Sequence, residues 1–131
     1  MTHQVLLPPG WPKPRGYANG VAGFGRIVCV AGMVGWDKAG RFPADFPGQA
    51  RQCFANIRAV LEEADAQPGH LARLTWFVRE LAEYRANLRA IGLAYREVLG
   101  TSFPAMTLVQ VAGLLEPEAR LEIEATAILP P

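Results

Sequence analysis

Ala50, Cys53, Phe54, Ile57, Val60, Leu61 and Ala64 follow the i, i+3, i+4, i+7 spacing of a helix with one buried face. Pro68-Gly69 stops that pattern. A second helix is predicted over 82–99, with Tyr84, Leu88, Ile91, Tyr95 and Val98 on one face and Gly100 placed to end it. Between the two helices, residues 71–78 read as a strand. The last third alternates instead, over 106–111 and again over 120–129, with Gly113 and Pro117 in the connection. In the final run Leu121, Ile123, Ala125 and Ala127 point one way, while Glu122, Glu124 and Thr126 point the other. Ahead of the first helix, residues 17–22 and 26–32 read as two short strands, with Gly23-Phe24-Gly25 as a hairpin connection. Residues 35–47 read as a loop, and the proline-rich stretch 8–14 as a stiff leading segment. Residues 5–7 are a candidate for an additional N-terminal strand. The order β-β-α-β-α-β-β predicts an α+β fold, one mixed β-sheet with two helices on one face. The other face is left to solvent or to a partner.

At 131 residues the chain suits a single domain, 1–131. Surface scaling gives roughly 6,800 Å² exposed when folded, against roughly 20,700 Å² unfolded, so a core forms without covalent staples. Charged residues make up 19% and apolar residues 50% of the chain, a charge-poor balance that predicts coverage by another subunit. The net charge of +1 argues against a nucleic-acid partner, which usually demands a basic excess. Cys29 and Cys53 both read as small buried hydrophobes rather than as a disulfide framework. With no CxxC, and with His3 and His70 far from both cysteines in sequence, no metal site is expected. The N-terminus lacks a signal-peptide core, and the longest apolar stretch, 27–36, is too short to span a bilayer. A soluble, cytoplasmic protein with no membrane partner is expected.

The candidate chemistry is sparse. No Ser-His-Asp set is evident. Gly23-Phe24-Gly25 and Gly32-Met33-Val34-Gly35 lack the spacing of phosphate loops and read as turns. Glu122 and Glu124 read first as a solvated strand face, and Tyr17 as a half-buried anchor. A proton-handling role for either carboxylate needs burial or a second group to tune it.

The segment Phe103-Pro104-Ala105-Met106-Thr107-Leu108-Val109-Gln110-Val111-Ala112-Gly113-Leu114, followed six residues later by Leu121-Glu122-Ile123-Glu124, resembles the signature of the Rid family. This is the reactive intermediate deaminase group, also called YjgF/YER057c/UK114, with an old label of endoribonuclease L-PSP. Arg15-Gly16-Tyr17-Ala18-Asn19-Gly20 sits where the family has a Gly-Pro-Tyr-Ser-type turn, and Val28-Cys29-Val30-Ala31-Gly32-Met33 resembles its Val-Ser-Gly-Gln strand. The resemblance implies a chorismate-mutase-like fold and a homotrimer with a small-molecule cleft between subunits. It also implies cofactor-free hydrolysis of 2-imino or enamino acids to 2-keto acids and ammonia. By the same resemblance Glu122 positions the attacking water, Tyr17 orients the substrate and the Gly32 backbone lines the cleft. The family's carboxylate-gripping arginine is Met106 here, and Leu108 falls where a small or thiol residue is frequent. Met106, Leu108 and Met33 are expected to form an apolar substrate-binding wall. Asn87 and Arg89 both lie near the family's helix-two asparagine, which has no clean match.

Three functions follow as expectations. The first is a Rid-like imine or enamine hydrolase whose substrate is not a typical small 2-imino acid, since a thioether offers neither charge nor donor to a carboxylate. The second is a non-catalytic small-molecule binder or metabolic sensor. The third, ribonuclease or translation inhibition, is disfavoured by near-neutral charge and scarce histidine.

Overall fold

The computed structural model describes residues 3–131. Strands β1 (His3–Leu6) and β2 (Gly20–Gly23) pair antiparallel as a two-stranded ribbon. Strands β3 (Arg26–Val34), β4 (Leu71–Val78), β5 (Ala105–Gln110) and β6 (Leu121–Leu129) form a four-stranded sheet ordered β3-β6-β4-β5. β6 runs antiparallel to both neighbours, and β4 and β5 are parallel. A parallel pair needs a crossover. Helices α2 (Leu81–Ala86) and α3 (Leu88–Leu99) supply it, and α1 (Phe46–Glu63) packs beside α3.

The start of α1 is set by Asp45, whose side chain accepts the Gly48 N–H at 2.9 Å while Pro47 takes a first-turn position that needs no donor. The helix therefore begins four residues before Ala50, the first apolar position of the repeat. Ala50, Cys53, Phe54, Ile57 and Leu61 are all buried, as their spacing predicts. Leu74, Trp76 and Val78 of β4 and Leu121, Ile123 and Ala125 of β6 meet them in one hydrophobic cluster.

Aromatic rings organise that cluster. Phe54, fully buried, lies edge-on to Trp76 at 5.6 Å and to Tyr95 at 5.3 Å. Trp76 meets Tyr84 at 5.7 Å, Tyr84 meets Phe46 at 6.5 Å, and Tyr95 stacks on Phe103 at 5.2 Å. Six rings thus connect α1, β4, α2, α3 and the approach to β5 in one chain of contacts. Burial raises the Tyr95 hydroxyl above its ordinary pKa, and it stays a donor, to the Ser102 carbonyl.

Gln49 is the buried polar exception. Its Nε2 donates to the carbonyls of Pro43 and Glu118, both at 3.1 Å, and its Oε1 accepts the Arg120 N–H at 2.8 Å. One amide thereby ties the approach to α1 to the approach to β6, and nothing in the apolar periodicity marks it.

Six expectations are corrected. The 17–22 and 26–32 segments do not form a hairpin, because β2 pairs with β1; Gly25, at φ 153 and pressed against the Leu129 carbonyl, redirects the chain into β3 instead. The strand expected from residue 5 begins at His3. The second helix is broken at Asn87, whose Nδ2 donates to the Glu83 carbonyl at 2.7 Å in competition with the helical ladder. Past that break Ile91 and Tyr95 turn inward, and Leu88 is left 55% exposed instead of buried. Cys29 is exposed, because strand alternation gives the helix side to Val30. Gly32-Met33-Val34 is not a turn but the irregular end of β3, with a register shift between Val30 and Met33.

Removing the hub ring tests this picture. Phe54→Ala is expected to lower unfolding stability by about 3–5 kcal/mol. Leu88→Ala, at an exposed position, should change it by less than about 0.5 kcal/mol. Urea titration of both variants checks the contrast; similar losses would remove Phe54 from its central place.

Candidate functional site

Tyr17 is placed by its neighbour. The Ala18 N–H donates to the Pro104 carbonyl at 3.0 Å, and Ala18 bridges to Ala105 in parallel register, fastening this stretch alongside the start of β5. Gly16, at φ 77, makes the left-handed bend just before it. On β5, Met106 lies opposite Leu74 and Leu108 opposite Trp76, so both share the helix side of the sheet with those buried residues. Tyr17, Met106 and Leu108 line one pocket of about 370 Å³. Its apolar floor includes Trp76, Tyr95 and Phe103.

Gly32 and Glu122 form a second locus. Glu122 lies opposite Phe77 on one neighbouring strand and Val34 on the other. A Cβ at Gly32 would stand 2.1 Å from Glu122 Oε2 and 2.8 Å from its Cδ, so only glycine admits the carboxylate against this backbone. Glu122 is half-buried and makes no hydrogen bond or ion pair among the described residues, whereas Glu124 is exposed. Burial first, and the Glu122 charge second, hold the Cys53 thiol well above its usual pKa. The thiol donates to the Met33 carbonyl at 3.2 Å, a core role.

The two loci do not meet within one chain. Leu74, Met106 and Ala125 share the helix side; Phe77, Val109 and Glu122 share the opposite face. β4 also separates β5 from β6, so Glu122 is not across a strand pair from Met106 but about 10 Å away laterally and on the other face. Met33 packs against the core near the far edge of the sheet and shares no wall with Met106 and Leu108. Asn87 is held at the helix break, and neither it nor Arg89 lines the Tyr17 pocket.

The sequence reading missed Arg15, Gly92 and Arg96, which line the pocket with Tyr17. A glycine interrupting the second helix was the one available signal. A separate depression of about 390 Å³ holds Arg79, Glu80, Glu83, Glu118 and Arg120, and its arginines are engaged. Arg120 pairs with Glu83, and Arg79 donates to the Pro117 and Ala119 carbonyls. Among the described residues no cluster of three His, Cys, Asp or Glu side chains could hold a metal, and no helix is long and apolar enough to cross a membrane.

Residues 12–129 match the family model described as Endoribonuclease L-PSP. The chain is 34% identical over 113 residues to the 2-iminobutanoate/2-iminopropanoate deaminase of Escherichia coli strain K12, covering 86% of each. It is 33% identical to a RutC family protein of Pasteurella multocida, over 79% of this chain and 81% of that one. The solved structure of the Rid family protein YyfB from Yersinia pestis matches with a TM-score of 0.85 and 32% identity, over 98% of this chain and 100% of that chain. E. coli TdcF with bound serine matches at 0.71 and 30%, over 92% of both. The architecture is the chorismate-mutase-like fold of these neighbours. A match that spans nearly the whole chain, with relatives above 30% identity over more than three quarters of it, makes this protein a member of the Rid, or YjgF/YER057c/UK114, family.

Proposed function

We propose that the chain is a cofactor-free imine or enamine hydrolase working in clefts of a homotrimer. Each cleft would join Tyr17, Met106 and Leu108 of one protomer to Gly32 and Glu122 of the next. The observation that carries this reading is Glu122: a half-buried carboxylate with no hydrogen bond or ion pair among the described residues, set against a glycine on the sheet face away from the helices. That face also bears Ile27, 64% exposed, and Val109, 42% exposed, surface that a partner would cover. The accessible area of 7875 Å² exceeds the roughly 6,800 Å² expected for a monomer of this size, which supports burial in an assembly.

In this mechanism Glu122 accepts a proton from water as the oxygen attacks the imine carbon. Glu122 returns that proton to nitrogen to give a neutral carbinolamine, then carries the hydroxyl proton to nitrogen as the C–N bond breaks, so that ammonia leaves and a carbonyl remains. Tyr17 orients the substrate from the opposite wall. Met106 is the point of departure from the 2-iminobutanoate/2-iminopropanoate deaminase relative, since it cannot pair with a small carboxylate. The same residue favours the second reading, a binder that has lost deamination.

Ammonia release from a panel of imines separates the two readings: the hydrolase reading expects turnover that Glu122→Ala abolishes, the binder expects none. Gly32→Ala should fold yet displace the Glu122 carboxylate, and should lose activity nearly as fully as Glu122→Ala. Met106→Arg should raise kcat/KM for 2-iminopropionate about 10- to 100-fold, from about 1.5–3 kcal/mol for a charge-assisted contact. No gain in a folded trimer would favour the binder. Light scattering after size exclusion should give three times the chain mass, and a clean monomer at micromolar concentration would sink the composite cleft.

A further inference from the structure

We propose that the pocket beside Met106 selects a ligand with a large apolar side chain, an aromatic ring foremost, and that Arg96 and Arg15 supply the positive charge for its carboxylate. The ligand class is a 2-imino acid and its 2-oxo acid product. The hydrolase reading above supplies only the reacting C=N group; the size and charge of the ligand come from the pocket itself.

Gly92 is the first indication. It lies inside α3, where glycine weakens a helix relative to alanine. It has no positive φ, and a Cβ there would meet nothing within 4 Å. Neither backbone conformation nor packing within the chain calls for a glycine. What lies beside it is the pocket, which any side chain would narrow. Helical side chains lean toward the N-terminus, so Arg96, four residues on, reaches back over the turn that Gly92 leaves bare.

Charge is the second. Arg15 and Arg96 are the charged residues of the lining. Like Arg26, Arg73, Arg79, Arg85 and Arg89 they form no ion pair among the described residues, and the pocket lining contains no acidic residue to neutralise them. Two exposed cations thus stand over a floor of Trp76, Tyr95, Phe103 and Leu108. Met106 leaves that floor uncharged, so an anionic group is held at the rim and an apolar one below. A volume of about 370 Å³ falls within the range of small-molecule sites and is far more than a three-carbon acid fills.

Calorimetric titration of the full chain with phenylpyruvate and with pyruvate tests this. Phenylpyruvate is expected to bind at least about tenfold more tightly, a difference of about 1.4 kcal/mol. Gly92→Leu should cost phenylpyruvate at least about tenfold while its Tm holds or rises, since leucine favours a helix over glycine. Gly92→Ala, a smaller plug, should fall between the two. The double variant Arg15→Gln/Arg96→Gln should weaken phenylpyruvate roughly 2- to 25-fold, as expected for two exposed charge pairs, and leave neutral benzylacetone unchanged. Equal affinity for the two oxo acids, or wild-type binding by folded Gly92 variants, would overturn the proposal. Selective phenylpyruvate binding without ammonia release from any imine would sustain the pocket and sink the hydrolase. Turnover of imines with no preference for the larger side chain would sustain the hydrolase and sink the pocket.

Discussion

Phe54 holds the rest of the molecule in register. Its ring touches Trp76 on the sheet and Tyr95 on α3, so one side chain fixes the distance between the central strand and both long helices. Edge-on aromatic packing is directional as well as apolar, and it constrains tilt where aliphatic contacts allow sliding. Tyr95 passes the constraint to Phe103, which leads into β5, and Trp76 passes it to Tyr84 on α2. The inner side of this string is the core; part of its outer side is the floor of the Tyr17 pocket. The rigidity of that pocket is therefore inherited from the core rather than built separately.

The sheet has one committed face and one open face. On the committed face Leu121, Ile123 and Ala125 are locked by packing, and Met106 and Leu108 extend the same surface to the sheet edge. On the open face the Glu122 carboxylate lies against the Gly32 backbone, in space a Cβ would fill. Within one chain, Met106 and the Glu122 carboxylate lie on opposite faces with a strand between them.

Polar groups away from these loci serve the fold. Gln49 satisfies three backbone groups at once, and Asp37 accepts the Arg41 and Ala39 N–H groups in the loop before α1. Those backbone bonds, the one from Arg41 foremost, draw the Asp37 carboxyl below its ordinary pKa. Cys53 is kept a neutral thiol by burial. At the surfaces where binding is proposed, the side chains of Glu122, Arg15 and Arg96 form no hydrogen bond or ion pair among the described residues.

The sequence by itself determined the elements that repeat a period: the buried face of α1, the in-and-out alternation of β6, the strand at β4 and the order of the elements. Periodic burial is a local property, legible wherever several apolar positions agree, and the Phe103-to-Glu124 signature was legible because its spacing survives even with Met106 in it. Tertiary structure decided the rest. β2 pairs with β1 rather than β3, and Gly25 meets Leu129, more than a hundred positions away. The break at Asn87 depends on a side chain competing with the backbone for one carbonyl. The separation of Glu122 from Met106, and the gathering of Arg15, Gly92 and Arg96 around Tyr17, follow from strand order and helix placement. Those are fixed by the packing of faces against one another, and no run of neighbouring residues encodes them alone.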